Sequence, residues 1–354
     1  MANHSRQIKL GSVAIGGGAP VSVQSMTKTL TKDVAATVAQ ISELQDAGCD
    51  IVRVAVPDME SATAIGEIKS RVSIPIVSDI HFDYRLALEA LRQGVDGMRI
   101  NPGNIGARKK IRAVVDAARE RVVPIRIGVN SGSLEKDILQ KYGSPSAEAL
   151  AESAFRHARI LEEFEFRDIK ISVKSTDVMT MIEAYRIISG KVDYPLHLGV
   201  TEAGTLKMGT IKSSVGIGTL LADGIGDTIR VSLTGDPVEE VRVGVDILRS
   251  LGMRKNGVEV ISCPGCGRLE IDLMKLVEDV ERRVMNIHVS KPIKVAILGC
   301  VVNGPGEASE ADFGIVGGRG KGMLYKRGKL LKSLKEEELV DALVDEITKE
   351  TSAA

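Results

Sequence analysis

Aromatic side chains make up only 3% of this 354-residue chain, which leaves few rings on which a nucleic-acid base could stack. Net charge is missing as well: 47 Lys and Arg stand against 47 Asp and Glu, so no global field draws the chain to a polyanion. Nucleic-acid partners are therefore not expected, and any anion site must come from local clustering. Nowhere does the sequence offer the ~20 consecutive apolar residues that a membrane span requires, and its start carries no apolar run of signal-peptide length. A cytoplasmic location with no membrane partner is the expectation. Cysteine is scarce, at four residues, and in a reducing compartment these read as thiolates for metal or redox chemistry rather than disulfides.

What is present is an ordinary globular composition, 44% hydrophobic and 27% charged, long enough for a barrel of roughly 250 residues and a further module of about 100. Short β-branched runs recur, each followed by a helix-like segment. The predicted strands are Val21–Met26, Ile51–Val56, Ile74–Ile80, Gly97–Ile100, Pro124–Val129, Asp168–Lys174, Leu196–Thr201 and Thr228–Leu233. Amphipathic segments between them include Asp33–Ala47, Ile105–Arg121, Ser146–Glu165 and Pro237–Leu251. Eight βα units predict an α/β fold, a (β/α)₈ TIM barrel over residues 1–253. The rival, an open doubly wound sheet, usually has a glycine-rich fingerprint after its first strand. Here Gly16-Gly17-Gly18 precedes that strand and reads as a loop.

After residue 253 the grammar changes to strand, CPGC turn, a helix over Leu269–Met285, a strand at Ile293–Leu298 and an NGPGE loop. A hairpin over Met323–Leu330, broken at Arg327-Gly328, and a last helix over Glu336–Glu350 complete a small α+β domain, residues 254–354.

Charged side chains inside barrel strands are costly unless paired or functional. Arg53, Arg99, Arg126 and Arg230 each lie between apolar strand residues, and Lys174 adds a cation near the end of a fifth strand. Active sites of such barrels form at the carboxyl ends of the strands, and guanidinium groups bind phosphate oxygens in pairs. The group predicts a site for a small, dense anion such as a diphosphate; pairing of each Arg with a local carboxylate is the bland alternative. Asn101–Asn104 and Asn130–Ser133 follow two of these strands and can add amide and backbone donors. Asp79, His81 and Glu202 also follow strands and are candidates for proton transfer, Glu202 as a carboxylate among cations. A helix cap for His81 and a structural ion pair for Glu202 are the competing readings.

Cys263 and Cys266 share one turn, and Cys300 closes another strand of the same module. The spacing admits either structural zinc or an iron–sulfur cluster. Cys49, just before the second strand, belongs to the opposite face of the barrel, so a fourth ligand is not a cysteine; Glu307, on the glycine-rich loop after Cys300, is the candidate.

Through VQSMTKT, VRVAVPD, SDIHFDYRLA, RINPGN, IRIGVNSGSL, ISVKSTD, HLGVTEAG, CPGCGR and GCVVNGPGE the chain resembles, essentially end to end, the bacterial 4-hydroxy-3-methylbut-2-enyl diphosphate synthases of the methylerythritol phosphate route to isoprenoids. The resemblance implies a 4Fe-4S cluster, rather than zinc, on Cys263, Cys266, Cys300 and Glu307. It implies that Arg53, Arg99, Arg126, Asn130, Lys174, Arg230 and Ser232 bind the substrate, 2-C-methyl-D-erythritol 2,4-cyclodiphosphate, and that Glu202 contacts its reacting end and is catalytic along with Glu307. It further implies flavodoxin or ferredoxin as electron donor, reductive ring opening with loss of water, and a head-to-tail homodimer. The family's larger form is excluded, because only about a dozen residues separate Leu251 from Cys263. Two other classes would look different: a zinc-stabilised, non-redox barrel enzyme would be colourless, and a pure electron carrier would not need the arginines.

Overall fold

The computed structural model describes residues 5–254, 257–284, 287, 289 and 291–352, and its chain divides into two compact units, Met1–Met253 and Arg254–Ala354. The first begins with a hairpin that the sequence reading did not anticipate, β1 (Ile8–Leu10) and β2 (Val13–Ile15). Gly11 turns it at φ +56°, a backbone conformation that side chains other than glycine rarely adopt. Ile8, Leu10 and Ile15 pack on Ile51 and Val77, near the amino-terminal ends of the strands, and floor the barrel there.

Eight parallel strands follow: β3 (Ser22–Met26), β4 (Ile51–Ala55), β5 (Ile76–Asp79), β6 (Gly97–Ile100), β7 (Ile125–Asn130), β8 (Ile169–Lys174), β9 (His197–Leu198) and β10 (Thr228–Ile229). Hydrogen bonding runs from β3 in sequence to β8, while β10 pairs with both β3 and β9. A bridge between Ile171 and Leu196, with the Ile171 N–H donating to the Pro195 carbonyl at 2.9 Å, closes the seam between β8 and β9. The TIM barrel is therefore complete. The period of two that turns each arginine inward turns its neighbours, such as Val52 and Val54 or Ile125 and Ile127, outward into the main core.

The last two strands are much shorter than their sequence runs suggest. A Cβ on Gly199 would stand 2.6 Å from the Arg230 carbonyl, so the two strand exits cross closely only because that position is glycine. The Leu233 N–H is taken by the Glu240 carboxylate instead of a neighbouring strand. Helices start where carboxylates or hydroxyls cap free N–H groups: Asp33 on Ala36, Asp58 on Ser61, Ser146 on Ala149 and Asp177 on Thr180. Each such cap contributes about 1 kcal/mol.

In the second unit β11 (Val258–Ser262), β12 (Ile293–Leu298) and β13 (Phe313–Gly318) are parallel, and β14 (Lys321–Lys326) and β15 (Lys329–Leu334) extend the sheet antiparallel. Alternation along β12 serves two faces. Val295 and Ile297 join the core formed with helices Leu273–Val284 and Leu339–Ser352, whereas Ala296 and Leu298 pack with Ala308 of the short helix Gly304–Ser309. The predicted hairpin turns at Arg327 and Gly328, both at positive φ (48° and 76°), as a two-residue type I′ turn requires. The first helix begins at Leu273 rather than Leu269 because the Glu270 N–H is spent on the Gly299 carbonyl and Asp272 caps Lys275; the expected end at Met285 lies outside the described residues. The NGPGE segment is helical rather than a loop, so Glu307 stands on a helix. Among the described residues no helix is long and apolar enough to cross a membrane.

Candidate active site

Arg53, Arg99, Arg126 and Lys174 are all buried, at 8%, 6%, 4% and 7% exposure, although they occupy the mouth of the barrel. Alternation in β4, β6, β7 and β8 sends them inward, and two carboxylates organise part of the group. Asp79, the last residue of β5, lies 3.1 Å from Nη1 of Arg99 and 3.8 Å from Nε of Arg53. Glu240 accepts from Nη2 of Arg230 at 3.3 Å. Arg53 also points Nε and Nη2 at the Met26 sulfur, at 3.1 and 2.9 Å. Nη1 of Arg126 lies 2.9 Å from Nε2 of His197. Arg99 also contacts His81 through Nη1 and Nε2, and its Nη2 reaches the Gly128 carbonyl at 3.5 Å.

Five cations thus share two acidic partners, and the electrostatics record the imbalance. Burial holds Arg53 down to about 10 against the opposing pull of Asp79. Arg126 and Lys174 are pressed well below their ordinary values, first by burial and then by one another's neighbours, Arg53, Arg99 and Arg230. Burial also pushes Asp79 up, but Arg53, Arg99 and Arg126 outweigh it and bring the carboxyl down to about 2. His197 is driven well below its usual range by burial and by Arg126, so a neutral imidazole accepts from that arginine. Deeper inside, Lys170 is 2% exposed and falls to about 7 through burial and Arg126; its Nζ meets Thr228 Oγ1 at 3.4 Å. Such an excess of desolvated cations is relieved by an anion.

The remaining barrel candidates divide. Asn130 ends β7 half-buried at the same mouth, and the Ser232 hydroxyl is buried past β10 with no hydrogen-bond partner among the described residues. Glu202, after β9, is not ringed by the cations: it is exposed, at φ +50°, and makes no ion pair among the described residues. Its backbone turns away from the ladder there, helped by Gly204 at φ +110°. Asp79, read as a proton carrier, is tied to two arginines, and His81 is held by one. The sequence reading missed His197, Lys170 and Glu240. Lys170 was visible as a charge in mid-strand; Glu240 had no signal to separate it from its neighbour Glu239.

In the second unit, Cys263 follows β11 directly and Cys300 comes two residues after β12, at the carboxyl ends of two paired parallel strands. None of the four cysteines forms a disulfide. Cys263 Sγ accepts the Gly299 N–H at 3.3 Å, Cys266 is exposed, and Glu307 is exposed on its helix. As placed, these side chains are not gathered into a cage: among the described residues no group of three or more His, Cys, Asp or Glu side chains is set to hold a metal ion. Cys49 is buried in the barrel core, its Sγ 3.0 Å from the Ile51 carbonyl.

Residues 5–245 match the model of the GcpE TIM-barrel domain, and residues 259–349 match that of the GcpE protein C-terminal domain. A 4-hydroxy-3-methylbut-2-en-1-yl diphosphate synthase (flavodoxin) of Thermodesulfovibrio yellowstonii is 60% identical over 345 residues, 98% of each chain. The Clostridium perfringens protein of the same name is 61% identical over 340 residues, covering 96% of this chain and 97% of its own. Among solved structures, a dihydropteroate synthase from Stenotrophomonas maltophilia aligns with 70% of this chain and 97% of its own, with a TM-score of 0.53 and 14% identity, a likeness of fold alone.

Proposed function

The chain belongs to the GcpE family of 4-hydroxy-3-methylbut-2-en-1-yl diphosphate synthases (flavodoxin), and from that premise we propose how its residues divide the work. It is an enzyme that reductively opens and dehydrates 2-C-methyl-D-erythritol 2,4-cyclodiphosphate. The observation that carries the site assignment is the excess of cations over carboxylates in the barrel mouth. Two electrons and one proton enter the reaction; a carbon–oxygen bond to phosphate breaks, the C3 oxygen leaves as water, and the diphosphate ends with one more negative charge. Arg53, Arg99, Arg126, Lys174 and Arg230 bind the cyclic diphosphate and stabilise that added charge, since electrostatic stabilisation is strongest in a desolvated site. Asn130 and Ser232 hydrogen-bond the substrate's oxygens. Glu202 contacts the reacting end and delivers the proton that departs with the C3 oxygen, from a loop whose exposure leaves it free to approach.

The residues of the second unit fit a 4Fe-4S cluster in donor chemistry. Cys263 and Cys300 follow two adjacent strands and Cys266 lies in the turn after Cys263; Cys263 already accepts an N–H of the kind that tunes cluster sulfurs, and Glu307 adds a carboxylate as a weaker, exchangeable ligand. Cys263, Cys266, Cys300 and Glu307 would hold the cluster, which when bound supplies the electrons one at a time. Flavodoxin delivers them, with ferredoxin as the alternative donor. The cysteine usage suits a reducing cytoplasm, and we place the enzyme there as a head-to-tail homodimer. Anaerobic purification followed by a visible spectrum, then turnover with the cyclodiphosphate and reduced flavodoxin, tests the proposal: a brown protein that forms the diphosphate product is expected. A colourless protein whose activity survives without iron would refute it.

A further inference from the structure

Glu240 sits in the first turn of the helix Pro237–Ser250 that follows the last barrel strand, a position where acidic residues ordinarily face solvent and complement the helix dipole. Glu239 does so, with a side chain 36% exposed beside Arg242. Glu240 turns inward and is 2% exposed. Its Oε1 accepts the Leu233 N–H at 3.0 Å and lies 3.7 Å from Nζ of Lys28. Oε2 accepts from Nη2 of Arg230 at 3.3 Å and from the Ser25 hydroxyl at 3.5 Å. Lys28 in turn donates to the carbonyls of Leu233, at 3.4 Å, and Gly235.

One carboxylate thus joins the exit of the first barrel strand to the exit of the eighth. We infer that Glu240 is a positioning residue of the diphosphate site, a pivot that aims Arg230 and fixes the Ser232–Leu233 backbone against β3. The inference rests on the reading that Arg230 and Ser232 meet the substrate. Every partner of Glu240 is a donor, so both of its oxygens must accept. A glutamine would turn an amide N–H₂ toward one of them, and a buried donor facing a donor is expensive. The substitution also removes a negative charge from a cationic mouth, which by charge alone would tighten anion binding. Weaker binding in Glu240→Gln therefore reports lost positioning, not lost charge.

Calorimetric titration of the holoenzyme with the cyclodiphosphate reads this directly. Glu240→Gln should raise Kd about tenfold. In an Arg230→Ala background the same change should cost clearly less than tenfold, because one of the two groups it positions is already gone. A Glu240→Gln protein that binds as well as or better than wild type overturns the inference, as do fold-changes that simply multiply in the double variant. Should Glu240→Gln fail to fold by circular dichroism, Glu240→Asp, which keeps the charge but withdraws a methylene, is read through the same cycle with the same two outcomes. A wild-type enzyme that does not bind the cyclodiphosphate would overturn the reading of the site itself. Wild-type binding with an indifferent Glu240 would overturn the pivot alone.

Discussion

Asp79 stands 3.1 Å from Arg99, and with its other oxygen 3.8 Å from Arg53, so that one carboxylate at the end of β5 sets the spacing of two guanidinium groups on neighbouring strands. Removing it leaves two buried cations facing each other. Asp79→Asn should destabilise the fold by roughly 3 kcal/mol at neutral pH. The folded carboxyl titrates at about 2, below its ordinary 3.8, so its contribution is complete above pH ~4 and is lost as pH falls through the folded value. Urea midpoints of wild type and Asp79→Asn should accordingly differ by a constant amount from pH 5 to 8 and converge only in more acidic buffer. A gap that changes between pH 8 and 6 would point to a histidine instead.

Among the described residues Arg126 has no carboxylate hydrogen-bond partner; its Nη1 meets a neutral imidazole. Its charge, like that of Lys174, is therefore left for an anion to neutralise. Arg126→Ala should weaken cyclodiphosphate binding by roughly 1.5–3 kcal/mol without altering the cluster's spectrum, as charge-assisted hydrogen bonds of this kind contribute. Arg99→Ala should weaken it as well, because it removes a second guanidinium and leaves Asp79 to neutralise Arg53 more fully. Unchanged affinity in both variants, measured by calorimetry, would remove the diphosphate from this site.

The four arginines were legible because a charge between apolar residues is anomalous in a barrel strand, and the period of two then dictates where it points. Their partners were not. Glu240 reaches the mouth from a helix whose amphipathic pattern is satisfied equally by a solvent-facing glutamate, and His197 looks like any strand residue until barrel closure sets β9 between β8 and β10 and turns its side chain toward Arg126 of β7. The floor hairpin escaped notice because three-residue strands carry too few alternations to register. Strand β13, with Gly314, Gly317 and Gly318, resembles a loop in composition, yet a Cβ at Gly317 would stand 2.6 Å from the Gly299 carbonyl, so glycine there serves close packing inside the sheet.

Cys49 and the three cysteines of the second unit should separate cleanly. Cys263→Ser, Cys266→Ser and Cys300→Ser are each expected to lose the brown chromophore and activity. Cys49→Ser should retain both, at a modest cost in stability from placing a hydroxyl in the barrel core. Visible absorption of anaerobically purified protein, normalised to iron content, decides it, and loss of the chromophore in Cys49→Ser would overturn the ligand assignment.

Glu307 differs from the thiols in both chemistry and placement. A carboxylate is the weakest member of the proposed ligand set, and it sits exposed on a short helix begun by Asn303 and Pro305. Glu307→Ala should therefore keep much of its cluster on three thiolates while turning over far more slowly. The cations and the cluster ligands belong to different units of the chain, so a productive site needs both from one subunit or one from each of two. Mixing Cys300→Ser subunits with Arg126→Ala subunits distinguishes them. If each site is shared between partners, a mixed dimer combines the sound barrel of the first with the sound cluster of the second and regains one working site of its two. If each site is confined to one subunit, every mixed dimer carries two broken sites, and activity stays at the level of the unmixed variants after subunit exchange has been verified by native mass spectrometry.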